Sequence, residues 1–518
     1  MITDNRTVRL AGRDVAVIFP SRSDARLHTS AVIVTVHIIG IFALGFAVSV
    51  PQVAAAILTA GLIDLGMTFR SSGKLVWPAS GILTGSGVAL ILRITGMEGR
   101  DYWKVSGWQW FALVAGISIL TKYLIRYRGR HIFNPSNVGL VAAFLIIGAR
   151  FIEPLDFWWA PIGFWMLTAY VVIIGGGITI TRRLDLLTMA VTFWVFLAGG
   201  LGVLAASGHC MIATWAPSPV CGPRFWTTLV TSPEVMIFLF FMITDPKTIP
   251  SGRRARVVFA ASLAMASTLL IAPQTLEYGA KVGLLGSLVI WSPLRGLFDR
   301  LVTDETADGR PGWDSARPDQ PTSVGTFARG LAIGSGIVLL IVAIVLAGTP
   351  TRNGVEAGTP IAAVPVVIDP SQLPEVRVEP SATGVNVDMD AEFAADVAVM
   401  LAENLALESE ALRIADGVLL GLADAGERLD EMQARLATAV ATGERRVDVY
   451  RFDSLTLSVH EGEAQTSAGL LFEGRGSVDV VIYDTSGQEV SRSASPFDKS
   501  FVLRQVGGER WIIVEVDP

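Results

Sequence analysis

The residues best suited to chemistry in this chain stand at an Asn-Pro break between two apolar segments. The break reads Phe133-Asn-Pro-Ser-Asn137 and follows a cationic run from Arg126 to His131. Irregular backbone at membrane depth survives only where it is buried in protein or lines a cavity. Interrupted helices of this kind are where membrane proteins place ligand and ion sites. We therefore expect Asn134 and Asn137 to form the first half of a site.

The second half of that site is expected where the same pattern returns. The sequence Asn137-Val-Gly-Leu recurs as Lys281-Val-Gly-Leu, and small residues precede the two copies at 78–85 and 231–235. Five spans per half is an odd number, so the two halves must be inverted in the membrane. Inverted repeats with interrupted helices predict a midplane site at their interface, which would include Thr84 and Lys281.

A carboxylate and an ammonium stand close together in the segment Phe240 to Pro250. Thr244, Asp245 and Lys247 follow an apolar run there. Such groups at a membrane edge beside a repeat interface indicate an ion or anion path. The alternative is that these residues simply end a helix at its C-terminus. We expect Asp245 to have a partner, either Lys247, the Thr244 hydroxyl or the preceding basic loop.

The basic loop before the Asn-Pro break is a candidate for binding phosphate. Arg128, Arg130 and His131 could meet a phosphate or a phosphorylated headgroup at the cytoplasmic face. The alternative is that they are ordinary positively charged residues at a lipid surface.

The elements that must position these residues are membrane spans. Of the 518 residues, 51% are hydrophobic and 17% are charged, and long apolar runs dominate up to about residue 347. A bilayer is crossed by roughly 20 apolar residues. Eleven candidate spans lie at about 31–49, 53–69, 76–94, 109–125, 136–149, 159–178, 184–206, 227–244, 255–272, 279–294 and 326–347. Those at 136–149 and 279–294 are short enough to be half-helices.

Arginine and lysine fix the orientation, because they gather in alternate loops. This predicts a multi-pass protein of the cell membrane with a cytoplasmic N-terminus and an exported C-terminal domain; only the loop 95–107 is discordant. From the N-terminus, the predicted segments of the chain are a basic arm (1–30), a ten-helix membrane domain (31–300), a cytoplasmic linker (301–325), an extra span (326–347), an extended linker (348–390) and an extracytoplasmic domain (391–518).

The exported domain is predicted to be a small α+β domain. Residues 391–441 have helical periodicity, and alternating strand-like runs begin at Val447. The ending 501–514 resembles the last hairpin of NTF2-like domains. In an external loop, Cys210 and Cys221 predict a disulfide, with two free thiols as the alternative. Two cysteines are too few for an iron–sulfur cluster; no metal site and no nucleic-acid partner is expected.

Four phrases occur in the order seen in the RnfD/NqrB family, which comprises the D subunit of Rnf electron-transport complexes and the B subunit of sodium-pumping NADH:quinone oxidoreductase. They are Ile82-Leu-Thr-Gly, Phe133-Asn-Pro-Ser-Asn-Val-Gly, Phe241-Met-Ile-Thr-Asp-Pro and Tyr278-Gly-Ala-Lys-Val-Gly-Leu-Leu. The resemblance covers roughly residues 30–300 and implies a ten-helix inverted-repeat subunit that holds flavin and couples electron flow to cation movement. Asp64 resembles an acidic residue of these subunits.

The chain departs from that family in the loop where covalent FMN is expected. Residues 149–158 carry no threonine, so covalent FMN is not expected, and a noncovalent flavin, FMN or riboflavin, is expected instead. The extra span and exported domain resemble a divergent actinobacterial branch associated with enediyne biosynthesis. The expected partners are the lipid bilayer and other electron-transport or biosynthetic subunits. The alternative function is a transporter, export component or scaffold with no redox role, and an enzymatic activity of the chain itself stays open.

Overall fold

The computed structural model divides the chain into two compact units, the first mostly before residue 352 and the second mostly after it. The residues that it describes are 5–10, 13–21, 24–95, 97, 101–127, 129–159, 162–213, 215, 220–302, 339–340, 342–348, 368–379, 389–460, 469–484, 488–505 and 511–517. Arg128, most of the predicted linker 301–325 and most of the predicted span 326–347 lie outside these ranges. Within that span, residues 339–340 and 342–347 are helical.

The first unit is a helical bundle with short strands between its helices. Helices α1 to α7 span Ala25–Phe42, Val50–Ser72, Ala79–Ile91, Trp108–Leu124, Pro135–Ile146, Phe164–Arg183 and Leu187–Ala206. Helices α8 to α12 span Gly222–Thr231, Pro233–Ile237, Arg253–Ile271, Glu277–Trp291 and Arg295–Leu301. Strands β1 to β9 span Asn5–Leu10, Arg13–Ile18, Leu75–Val76, Leu92–Ile94, Arg126–Tyr127, Arg130–His131, Ile152–Pro154, Cys210–Met211 and Val220–Cys221.

Six helical segments among the described residues are long and apolar enough to cross a membrane. They are α1, α2, α6, α7, the segment Gly222–Met242 and α10. Their composition indicates association with a membrane. The expectation of a mostly helical protein with membrane-length apolar helices and a β-rich C-terminal region is therefore confirmed.

Two of the shorter helices of the bundle are apolar but too short to cross a bilayer alone. Helix α5 has 12 residues and α3 has 13, which at 1.5 Å per residue gives lengths of roughly 18–20 Å. The half-helix expected at 136–149 is thus present. The predicted span 76–94 is too long, because its last residues, Leu92–Ile94, leave the helix and pair as strand β4 with β7.

Helices α4 and α10 each pack between two other helices of the bundle. Helix α4 packs between α2 and α5, and α10 packs between α7 and α11, while α1 contacts α6 and α5 contacts α11. Close approaches at glycines occur on α5 and α11, as they do on several other helices of this unit. A Cβ on Gly139 would lie 2.7 Å from Ser118 Cβ on α4, and one on Gly283 would lie 2.9 Å from the Leu270 carbonyl oxygen on α10.

A π-helical turn interrupts the eighth predicted span. Helix α9 begins at Pro233, where the Ser232 side chain caps it, and it runs directly into a π turn over Phe238–Met242. A π turn holds one residue more than an α turn and is frequent at functional sites. The chain then leaves the helix just before Asp245.

The segments that connect the helices are more ordered than the sequence suggests. The predicted arm 1–30 contains the antiparallel hairpin β1–β2, and β2 pairs in parallel with β3. Cys210 and Cys221 face each other across the pair β8–β9 and form a disulfide.

The second unit consists of three helices and a five-stranded sheet. Helices α13 to α15 span Ala391–Ile414, Gly417–Ala423 and Gly426–Thr442, and strands β10 to β14 span Val376–Val378, Arg445–His460, Gly469–Tyr483, Glu489–Gln505 and Trp511–Asp517. The strands follow each other in the sheet in chain order; β10 pairs in parallel with β11 and all other pairs are antiparallel. Leu401 of α13 packs in the core with Phe472 and Phe501 of the sheet.

A buried ionic cluster joins the three helices of this unit. Arg428 donates two hydrogen bonds of 2.7 Å to the Glu408 carboxylate. Asp424 is only 1% exposed and interacts with the same Glu408 carboxylate. Burial, followed by the negative charge of Glu408, raises the pKa of Asp424 to about 10. Asp424 is therefore protonated at neutral pH.

This buried acid makes the second unit sensitive to alkali. A carboxyl group whose pKa is raised by folding contributes stability that is present below its ordinary pKa of 3.8 and is lost as the pH rises towards about 10. We expect the stability of the wild-type second unit to fall as the pH rises through that window. Asp424→Asn should flatten this dependence, and exposed Asp430→Asn should leave it unchanged. The pH dependence of both variants is measured by hydrogen exchange of peptides from α13 and β11 in the full-length protein, corrected for intrinsic exchange rates. If Asp424→Asn loses stability with pH as steeply as the wild type, Asp424 is not the group responsible.

Candidate functional site

The Asn-Pro break ties helix α5 to the second half of the bundle. The Asn134 side chain caps α5, accepting from the Asn137 amide, and its Nδ2 donates to the Met242 carbonyl at 3.1 Å. Asn137 Nδ2 donates to the Leu285 carbonyl of α11 at 2.9 Å. The two asparagines therefore satisfy backbone carbonyls of the π turn and of α11, which are otherwise costly to bury.

Five of the residues predicted from the sequence surround one cavity of about 270 Å³, which we call the central cavity. Thr84, Asn134, Thr244, Asp245 and Lys247 all contribute to its lining. His131 of the basic loop is a sixth predicted residue in this lining, and mostly apolar residues of α1, α3, α6 and the π turn, with the charged Arg26 of α1, complete the wall. The structure thus brings together residues that are up to 163 positions apart, from Thr84 to Lys247.

Asp245 takes its partner from the basic loop. Its Oδ2 lies 3.2 Å from His131 Nε2, and its Oδ1 accepts from the Lys247 backbone amide at 3.1 Å. The Thr244 hydroxyl turns back and donates to the Phe240 carbonyl. Of the three partners considered from the sequence, the loop supplies the side chain and Lys247 contributes only its backbone.

A second pocket, which we call the basic pocket, adjoins the central cavity. It encloses about 330 Å³, and Arg130, His131 and Lys247 line it together with Lys122 and Arg126. His131 and Lys247 belong to both spaces. Among the described residues, no carboxylate lines the basic pocket. Arg128, the other predicted member of this group, lies outside the described residues.

Asp64 belongs to a separate buried cluster at the same end of the bundle. Its carboxylate lies 2.7 Å from Lys122 Nζ and accepts a hydrogen bond from the Tyr123 hydroxyl. It also accepts from the Gly81 amide at 2.9 Å, in the first turn of α3. Asp64 therefore satisfies one of the free amides at the start of α3 while its charge is balanced by Lys122. It does not contribute to the lining of the central cavity.

Lys281 lies in a third cluster, which we call the lysine cluster, with Glu234 and Glu277. The lysine is 2% exposed, and its Nζ lies 3.4 Å from Glu234 and 3.5 Å from Glu277. The same Nζ stands 4.9 Å above the Phe157 ring, and Glu277 accepts a hydrogen bond from the Phe157 amide. One ammonium is therefore matched by two buried carboxylates, which leaves one negative charge if all three are ionised.

A thin apolar wall separates the lysine cluster from the central cavity. Glu234 and Lys281 line a small void of about 10 Å³. Four residues, Leu90, Ile91, Ile237 and Met242, line both this void and the central cavity. The charged groups on the two sides are thus divided by one layer of side chains.

Charged residues continue from the lysine cluster to the opposite end of the bundle. Arg93 of β4 makes ion pairs with Glu153 at 3.1 Å and with Asp156 at 2.7 Å. Asp156 directly precedes Phe157, which contacts the lysine cluster. The sequence did not single out Arg93, Glu153 or Asp156, nor Lys122. The i,i+4 spacing of Glu277 and Lys281 was a signal that could have identified the lysine cluster.

The lysine cluster makes a clear stability prediction. Lys281→Met leaves two carboxylates buried without their counter-charge, and breaking a buried ion pair costs about 3–5 kcal/mol. The melting temperature of the purified protein should therefore fall strongly, and adding Glu234→Gln and Glu277→Gln should restore most of the loss. Exposed Lys74→Met is the matched control and should change little. A triple variant as unstable as the single variant would contradict a charge-based cause.

Comparisons with known proteins leave the function to be argued from the site itself. No protein-family model and no curated protein sequence matched the chain. The resemblance to the RnfD/NqrB family therefore rests on the order of its four sequence phrases.

Proposed function

We propose that the first unit carries a cation, either a proton or a sodium ion, across the cell membrane, in the manner of the membrane subunits that it resembles. The observation that carries this proposal is the lysine cluster. Buried ionisable residues within membrane helices are expensive and are used for ion paths and proton relays. Here they stand between a cavity at one end of the bundle and the Arg93 ion pairs near the other.

The proposed architecture is a pair of inverted five-helix repeats, α1–α5 and α6–α11, in which α8, α9 and the π turn count as one segment. The equivalent packing of α4 and α10, and the glycine approaches at Gly139 and Gly283, support it. So does the placement of Asn137 and Lys281, which occupy equivalent positions of the repeated sequence. In this arrangement the basic loops face the cytoplasm and the second unit is exported after an eleventh span.

The route that we propose begins in the central cavity. A cation enters beside Asp245, whose carboxylate attracts it while His131 holds the carboxylate in place. It then crosses the layer formed by Leu90, Ile91, Ile237 and Met242.

Beyond that layer the cation pairs with Glu234 while Lys281 moves towards Glu277. Repulsion by the lysine then favours release towards Glu153 and Asp156 at the other end. When Glu234 and Glu277 are both ionised, the cluster has one more negative charge than positive, and one monovalent cation would balance it.

A second candidate function is a redox subunit with a noncovalently bound flavin in the central cavity. The phenylalanine side chains of Phe240 and Phe241 and the polar groups of Thr84 and Ser136 line that cavity, and they fit a flat aromatic body. A bound flavin would supply one- and two-electron transfer. Visible flavin absorbance in the purified protein separates this function from transport without a redox role.

The translocation route is tested by removing its entry groups. Asp245→Ala should lower potential-driven proton or sodium uptake into proteoliposomes about tenfold or more, because the carboxylate that concentrates the cation is lost. Asn134→Ala should lower uptake as well, with some loss of stability, because it frees the Met242 carbonyl. Val203→Ala, on α7 and away from both cavities, is the control. Full uptake by both site variants at normal membrane abundance would refute the route.

A further inference from the structure

The geometry points to a phosphate-binding site in the basic pocket, and we propose that it holds the phosphorylated headgroup of an anionic membrane lipid. This proposal concerns a ligand and stands independently of cation translocation. Five residues that can carry positive charge converge on one space of about 330 Å³, within the usual size of ligand pockets.

Three of these positive charges have no carboxylate at ion-pair distance among the described residues. Lys122 is matched by Asp64, and His131 is held by Asp245. Arg126, Arg130 and Lys247 make no such ion pair within the described part of the chain. A concentration of like charges costs free energy, since Lys247 repels Lys122. An anion bound between them would remove that cost.

The backbone around the pocket holds the cationic side chains in place. Arg126 and Arg130 belong to the hairpin β5–β6, which turns at Gly129 with a φ of 80°, and Arg126 Nη2 donates to the Gly129 carbonyl at 2.8 Å. The Lys247 carbonyl accepts a hydrogen bond from Arg295, and its amide donates to Asp245. The main chain on both sides of the pocket is therefore fixed, and Arg126 uses only its Nη2 group for this.

The residue types favour phosphate over other anions. Guanidinium groups bind two phosphate oxygens at once, and lysine adds a point charge. Basic pockets between membrane helices on the cytoplasmic side are typical sites for anionic headgroups. The adjoining central cavity, which shares His131, Pro246 and Lys247, offers apolar surface to the rest of the ligand. The same phosphate chemistry could come from a soluble ester, so the experiment separates the two sources.

The test measures binding to the purified full-length protein in detergent micelles. The probes are dioctanoyl phosphatidylglycerol, dioctanoyl phosphatidylcholine, FMN and inorganic phosphate. We expect phosphatidylglycerol to bind more tightly than the zwitterionic lipid. The double variant Arg126→Gln with Arg130→Gln, and separately Lys247→Gln, should weaken that binding about tenfold or more, since each removes charged hydrogen bonds.

The matched control is Arg182→Gln, an exposed arginine at the end of α6 that does not line the pocket. It should leave the affinity unchanged, which separates a built site from general positive charge at a lipid surface. Binding of FMN or phosphate that depends on Arg126 and Arg130, in the absence of lipid binding, supports the phosphate site and assigns it to a soluble ester. The proposal is overturned if every probe binds no better than phosphatidylcholine, or if Arg182→Gln weakens binding as much as the double variant does. Unchanged gel-filtration profiles establish that the variants remain folded.

Discussion

The requirement that a buried ammonium have counter-charges organises the first unit. Lys281 is held between Glu234 and Glu277, and the latter lies one turn earlier on the same helix. Glu234 must therefore reach it from the start of α9, so the beginnings of α9 and α11 have to meet inside the bundle. Phe157 completes the enclosure from the loop after β7. The charge of Lys281 thus determines where α9 and α11 begin in space and where the loop that carries Phe157 lies.

Helix starts inside an apolar bundle impose a related constraint, because their first amides have no partner within the helix. At three of these starts the chain meets it with a side chain. Asp64 accepts from the first turn of α3, Asn134 caps α5, and Ser232 caps α9. Because Asp64 and Asn134 also bind groups on other helices, the same bonds that permit the interruptions hold the helices together.

The sequence was informative where local patterns determine structure. Apolar runs located the membrane-length helices, and the Asn-Pro break with the Thr-Asp-Pro-Lys segment located residues of the central cavity. It was not informative about partners that are far apart in the chain. Lys122 pairs with Asp64, 58 positions away in the chain, and Arg93 pairs with Asp156, 63 positions away. The periodicity of the sequence does not predict such distant pairs. The end of α3 was misplaced for another reason: Leu92–Ile94 remains apolar after the helix has become a strand, so hydropathy does not mark the change.

The π turn at Phe238–Met242 sets the rotational phase of the residues after it. An α-helix advances by about 100° per residue, so one extra residue turns all later side chains by roughly that angle around the axis. Thr244 and Asp245 line the central cavity in this rotated position. In an uninterrupted α-helix the residues that follow the turn would leave the axis in another direction. The extra residue therefore rotates the end of this segment, where Thr244 and Asp245 line the central cavity, relative to the packed helix α9 before it.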